Sequence, residues 1–155
     1  MTSTSYRARR LDPDDPAGLA TLAAMRTAWT RERTDGVEDG FTDRLEAWWR
    51  RQGGSRHAWA ATTADGEGVA MANLQVFERM PRPGLPDARW AYVANVWTAP
   101  EHRRRGVGRL VMDAVLRWCR DEGMERVVLN ASEVSLPLYR GLGFRPADDL
   151  MRLDL

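Results

Sequence analysis

Lysine and isoleucine are absent from this chain, cysteine occurs once and histidine twice. The missing lysine excludes phosphate loops that close on an ammonium group. It also means that all 23 basic side chains are arginine, a bias that reads as codon usage and lowers the weight of any one arginine. Cys119 alone makes no internal disulfide, and with only His57 and His102 beside it no Cys/His metal cluster is expected. A reducing, cytoplasmic setting fits that composition. No run approaches the roughly 18–20 apolar residues that span a bilayer, and Met1 to Arg10 lacks the apolar stretch of a secretion signal. A net charge of +1 from 23 basic and 22 acidic residues provides no global field for nucleic acid or an anionic membrane. Neither is expected as a partner.

The chain's 155 residues are the size of a single domain, read here as 1–155. Asp15 before Pro16 sets an N-cap and a first-turn proline, and Leu19, Leu22, Ala23 and Trp29 recur at helical spacing, predicting a helix to about Arg33. Thr42 is a candidate cap for a second helix carrying Leu45, Trp48 and Trp49, stopped by Gly53-Gly54. Arg56 to Thr63 and Gly68 to Glu78 flank Asp65-Gly66 as a predicted hairpin. The breakers Pro81, Pro83, Gly84 and Pro86 make Arg79 to Asp87 a loop. Trp90 to Thr98 reads as a central strand buried on both faces. The unbroken stripe from Val107 to Cys119 is an amphipathic helix, Gly123 ends it, and Val127 to Ala131 follows as a parallel strand. Ser135, Leu136 and Pro137 open a short helix, and Phe144 to Leu155 can supply one more strand. The whole predicts one α+β domain with a mixed sheet.

The chemistry concentrates where the central strand hands over to the long helix. Thr98-Ala99-Pro100-Glu101-His102-Arg103-Arg104-Arg105-Gly106-Val107-Gly108-Arg109 places free backbone N–H groups, the positive end of a helix dipole and two glycines at one point. Such a junction suits a diphosphate, since each charge-assisted hydrogen bond contributes about 1.5–3 kcal/mol. Taken alone, the same stretch reads equally well as a solvated basic turn. A dinucleotide fingerprint does not fit, because Val111 stands where its third glycine belongs and no acidic residue follows about 20 positions on.

Arg103-x-x-Gly106-x-Gly108, preceded by Pro100 and followed by the amphipathic helix, resembles the pyrophosphate loop of the GNAT superfamily of acyl-CoA N-acyltransferases. Leu138-Tyr139-Arg140-Gly141-Leu142-Gly143-Phe144 resembles that family's late leucine-tyrosine and glycine-phenylalanine segment. The resemblance covers about Val93 to Arg145. It implies a mixed, mostly antiparallel twisted sheet with helices on both faces, of the α/β three-layer type, and acetyl-CoA as co-substrate without a metal. By position, Val96, Trp97 and Thr98 would pair with the pantetheine amides. Arg103, Arg104, Arg105, Gly106, Val107, Gly108 and Arg109 would meet the pyrophosphate, and Ser132 stands where some members place an asparagine near the pantetheine.

The resemblance further implies that Tyr139 donates a hydrogen bond or proton to the departing thiolate. Many members carry a basic carboxylate on the central strand, but Trp90 to Thr98 contains none, which leaves Glu78 at the end of the preceding strand as candidate base. No residue pattern argues for a covalent intermediate, so direct attack of a primary amine on the thioester is expected. The family's acceptor sites lie near the first two helices and the loop before the central strand. Trp29, Phe41, Trp48 and Trp49 are candidates to line a pocket there, with Asp35, Glu38 and Asp39 to attract a cationic amine. The alternative readings are a catalytically inactive CoA-binding member and a module sensing a phosphate ligand. A homodimer is compatible with the resemblance.

Overall fold

The structure is a computed structural model that describes residues 5–155, so the reading of Met1 to Thr4 lies outside the described residues. One five-stranded sheet organises the chain. Strand β1 (Tyr6–Arg10) pairs antiparallel with β2 (Arg56–Thr63), β2 with β3 (Gly68–Glu78), and β3 with β4 (Arg89–Thr98), while β4 pairs in parallel with β5 (Val127–Leu129). The long helix α3 (Val107–Asp121) connects β4 to β5, as a parallel pair requires. The mixed, mostly antiparallel sheet is thus the one expected.

The helices α1 (Pro16–Arg31) and α2 (Phe41–Gln52) cover one face of the sheet and α3 covers the other. On β2, alternation makes the division visible. Trp118 of α3 packs on His57 and Trp59, with ring centroids 4.4 and 5.4 Å away. On the opposite face, Arg56 lies over Trp48 of α2 at 5.1 Å, and Trp49 donates from its indole to the Arg56 carbonyl at 3.1 Å. The core runs through the sheet: Ala60, Ala61, Ala70, Ala72 and Leu74 are wholly inaccessible, with Trp49, Met25, Val111 and Met112 closing on it. Small residues in the strands let both helical layers approach closely.

Asp15 caps α1 as expected, its carboxylate accepting from the Ala17 N–H at 3.1 Å. The cap of α2 differs: Gly40, with φ of 75°, precedes the helix, and Thr42 lies inside it. Trp90 to Thr98 is not buried on both faces. Ala91 and Val93, in register with Val76 and Leu74, are buried on the α3 face and Trp97, beyond an irregularity in the strand, is buried on the other, while the residues between them are half-buried. The strand after α3 is shorter than expected, and the tail from Phe144 forms no strand. Pro146 lacks a ladder N–H, and the Leu150 N–H turns back to the Ala147 carbonyl at 3.2 Å. Conversely, β1 was not expected, since three of its five residues are arginine. It forms as an edge strand with Tyr6 and Ala8 turned inward, a charged edge of the kind that discourages further pairing.

Candidate active site

Strand β4 carries an irregularity at its centre. Between Asn73↔Ala94 and Met71↔Trp97 it has one residue more than β3, a bulge at which Asn95 takes a left-handed φ of 54°. Pairing with β5 ends at Val93↔Leu129. Beyond it, β4 remains paired to β3 through Trp97 and Thr98 but has no strand on its other side. Val96, Trp97 and Thr98 therefore lie along an edge that no further strand covers, the arrangement to which an extended amide chain adds as a peptide would.

That edge runs into the loop before α3. Arg104 and Gly106 have φ of 61° and 78°, and the first α3 carbonyl bond recorded at this end is Leu110 N–H to Gly106 at 3.0 Å. Helix geometry leaves the N–H groups of Gly106, Val107, Gly108 and Arg109 over. A Cβ on Gly108 would stand 3.4 Å from the Thr98 hydroxyl, so the helix start is drawn tightly against the strand end. Arg104, Arg105 and Arg109 are exposed around it. Arg103 is not free to join them. Its Nε donates to the Thr98 carbonyl at 2.9 Å, and Nη2 reaches both oxygens of Glu32 at 2.8 Å. Glu32 also accepts from the Trp97 indole at 2.6 Å. Hydrogen bonding from Arg103 holds this carboxyl below its ordinary range, against a smaller opposing effect of desolvation. The three side chains form a clamp from the end of α1 to the end of β4, and Glu32 carried no sequence signal for it.

Tyr139, on helix α4 (Leu136–Gly141), is buried with its ring edge-on to Phe144 at 5.7 Å, and burial raises its pKa. Ser132 is exposed and closes a capping box with Ser135, the two hydroxyls 2.9 Å apart, so its side chain is occupied locally. Nearby, Asn130 donates to the Tyr92 hydroxyl at 2.8 Å. Glu78 is exposed opposite Arg89. It stands five residues beyond Asn73, roughly 17 Å along the strand, and the structure does not bring it to β4's bulge. Cys119 is buried, its thiol pushed up to about 11 by desolvation, and is inert as a nucleophile. His102 bonds the Tyr6 hydroxyl at 2.9 Å.

A cavity of 460 Å³ opens between the α1–α2 layer and the sheet. Phe41, Trp48 and Trp49 line it as anticipated; Trp29 does not, and neither does the loop of residues 79–87. The expected carboxylates are absent from its lining. Glu38 is instead forked onto Arg44 through two 2.6 Å bonds, and the cavity wall carries Arg26, Arg44, Arg51 and Arg56 beside Asn73 and Asn95. This correction reverses the sign of the field that an acceptor would meet.

The profile of the acetyltransferase (GNAT) family matches residues 22–144. Glucosamine 6-phosphate N-acetyltransferase of Trypanosoma brucei brucei is 33% identical over 87 residues, 56% of this chain and 57% of that protein. The match thus spans little more than half the length of this relative. Among solved structures, a GCN5-related N-acetyltransferase from Ralstonia eutropha is 28% identical with a TM-score of 0.69, covering 97% of this chain and 99% of the other. A predicted acetyltransferase from Clostridium acetobutylicum, solved with acetyl-CoA, superposes with a TM-score of 0.73 at 18% identity, covering 97% and 96%.

Proposed function

This chain belongs to the acetyltransferase (GNAT) family, and from that premise we propose that it transfers an acetyl group from acetyl-CoA to a primary amine by direct attack on the thioester. One observation carries the reading: the bulged β4 leaves an unpaired main-chain edge that leads straight to a glycine-started helix. The edge suits the pantetheine amides, with Val96, Trp97 and Thr98 contributing backbone groups. The N–H groups from Arg104 to Arg109 suit the pyrophosphate, and the exposed Arg104, Arg105 and Arg109 add charge around it. Arg103 acts differently, by holding the loop to α1 through Glu32.

In the reaction the neutral amine attacks the thioester carbonyl carbon, a C–N bond forms and the C–S bond breaks. The ammonium must first lose its proton, at a cost of about 4–5 kcal/mol at pH 7 for an amine of ordinary basicity. No carboxylate lines the cavity at Asn95, so bulk water takes that proton and only the neutral fraction of the amine reacts. The departing thiolate accepts a hydrogen bond from Tyr139. Burial makes this phenol a still weaker acid than the roughly pKa 10 of free tyrosine, so full transfer to a thiol near 8.5 is uphill by at least about 2 kcal/mol. Tyr139 therefore stabilises the thiolate, and the proton balance closes through solvent.

Acetyl-CoA binding is the test. Saturation at about 100 times the dissociation constant adds about 2.7 kcal/mol, or several degrees of melting temperature for a domain of this size. A rise with acetyl-CoA and none with NADH is expected, followed by thiol release when an amine is added. Glucosamine 6-phosphate, which the trypanosome relative is named for, belongs among the first amines tried. A rise with NADH alone would overturn the assignment. A rise with acetyl-CoA but no thiol release across a broad amine panel would instead leave a CoA-binding protein.

A further inference from the structure

Four arginines of the described chain are half-buried: Arg26, Arg56, Arg79 and Arg89. Two of them meet the usual requirement of a partly desolvated cation, a carboxylate within reach. Arg79 bonds Glu125 at 2.6 Å, and Arg89 lies 3.5 Å from Glu122. Arg26 and Arg56 have no carboxylate within 4.0 Å among the described residues, and both line the cavity between the helix pair and the sheet. Exposed arginines elsewhere need no partner because water solvates them. These two are shielded from water on one side and stack on aromatic rings, Arg26 over Trp29 at 4.8 Å and Arg56 over Trp48 at 5.1 Å.

The polar neighbours of Arg56 sharpen the point. A guanidinium only donates, so the Asn73 carbonyl oxygen must be what accepts from its Nη1 at 3.2 Å. The Asn73 amide nitrogen then donates to the Asn95 oxygen at 3.0 Å. That leaves the amide hydrogens of Asn95, at β4's bulge, as donors toward the same cavity. Arg56 Nε, buried, has no acceptor at all among the described residues. Burial lowers the pKa of both Arg26 and Arg56 with no neighbouring anion to offset it. Arg56 Nη2 also reaches the Gln52 Oε1 at 3.4 Å, so the terminal nitrogens of Arg56 have neutral acceptors, the Arg26 guanidinium has none among the described residues, and neither cation has an anion.

We infer that this cavity is an oxyanion site, and that the acceptor is an amine that also carries a phosphate monoester, held by Arg26 and Arg56 beside Asn95. The assignment of the amine rests on the acetyltransferase reading; the assignment of the anion does not. Arg51, exposed at the mouth, adds charge to the entrance, whereas Arg44 is already neutralised by Glu38. A planar fork matches a phosphate's oxygens in pairs, which favours a phosphate over a single-point anion.

The experiment is calorimetric titration of the protein, its CoA site first saturated with CoA, using 2-aminoethyl phosphate and ethanolamine as a matched pair and inorganic phosphate as a third probe. The two phosphates are expected to bind and ethanolamine not to. Arg26→Gln and Arg56→Gln should each weaken phosphate binding roughly tenfold or more, with CoA affinity unchanged. Equal binding of ethanolamine and its phosphate, or phosphate binding indifferent to both substitutions, would overturn the inference. Because the Arg26 side chain makes no hydrogen bond to the described residues, its substitution keeps the test readable should Arg56→Gln disturb folding. Failure of CoA to bind, with arginine-dependent phosphate binding intact, would refute the acetyltransferase reading and leave this site standing.

Discussion

Two arginine-rich regions of this molecule do different work. In the loop ahead of α3 and the helix's first turn, the side chains of Arg104, Arg105 and Arg109 are exposed, and the specific contacts offered are those of the backbone, shaped by Gly106, Gly108 and the helix start. In the cavity under α1 and α2 the order is reversed. The backbone there is spent in helices and ladders, and the half-buried guanidinium groups of Arg26 and Arg56 line the empty volume without anions of their own. Residue type alone does not separate the two. Burial does, and within each region a carboxylate removes one arginine from the free charge, Glu32 taking Arg103 out of the binding loop and Glu38 neutralising Arg44 at the cavity.

The largest effect expected from breaking this division is at Gly106. Gly106→Val puts a β-branched residue at a φ of 78°, at a cost of about 1–3 kcal/mol, and raises a side chain where phosphate would approach. Acetyl-CoA affinity measured by calorimetry should fall roughly 100-fold, while phosphate binding in the cavity should persist. Tyr139→Phe is next. Turnover should drop by about tenfold, the scale of one hydrogen bond, with acetyl-CoA affinity held; unchanged turnover would remove the residue from the mechanism.

The pH profile sharpens the cavity side. With no carboxylate lining it, kcat/KM for the amine should rise about tenfold per pH unit below the amine's own pKa. A plateau well below that pKa would reveal a base. The smallest effect is at the clamp. Glu32's folded pKa is depressed, so its stabilisation is present above the unfolded value of about 4.3 and is lost as pH falls through the lower folded value. Glu32→Gln should therefore lower Tm at pH 7 by roughly 2–4 °C, corresponding to about 1 kcal/mol for a partly exposed network. The difference should shrink below pH 4.

The elements that were legible in the sequence are those set by local signals. The β2–β3 hairpin, α3 and the loop ahead of it follow from period, turn residues and glycine spacing over a dozen residues or fewer. What was not legible depends on partners far along the chain. Strand β1 looks like a polar arginine segment until β2 supplies its ladder, some 50 residues on. The Glu32–Arg103 clamp joins residues 71 apart. The cavity's sign was misjudged because Asp35, Glu38 and Asp39 are contiguous and conspicuous, whereas Arg26 and Arg56 converge only once α1 is laid on the sheet. Glu78 ends the strand that precedes the central one, but at the end away from the bulge, which only the pairing register reveals.

The most direct test of the account combines both regions in one assay: thiol release from acetyl-CoA with primary amines supplied in pairs, each with and without a phosphate. The account predicts release for phosphate-bearing members, suppressed by Gly106→Val through acetyl-CoA and by Arg26→Gln through the amine. Release that is equal within each pair, or favours the member without a phosphate, would contradict it.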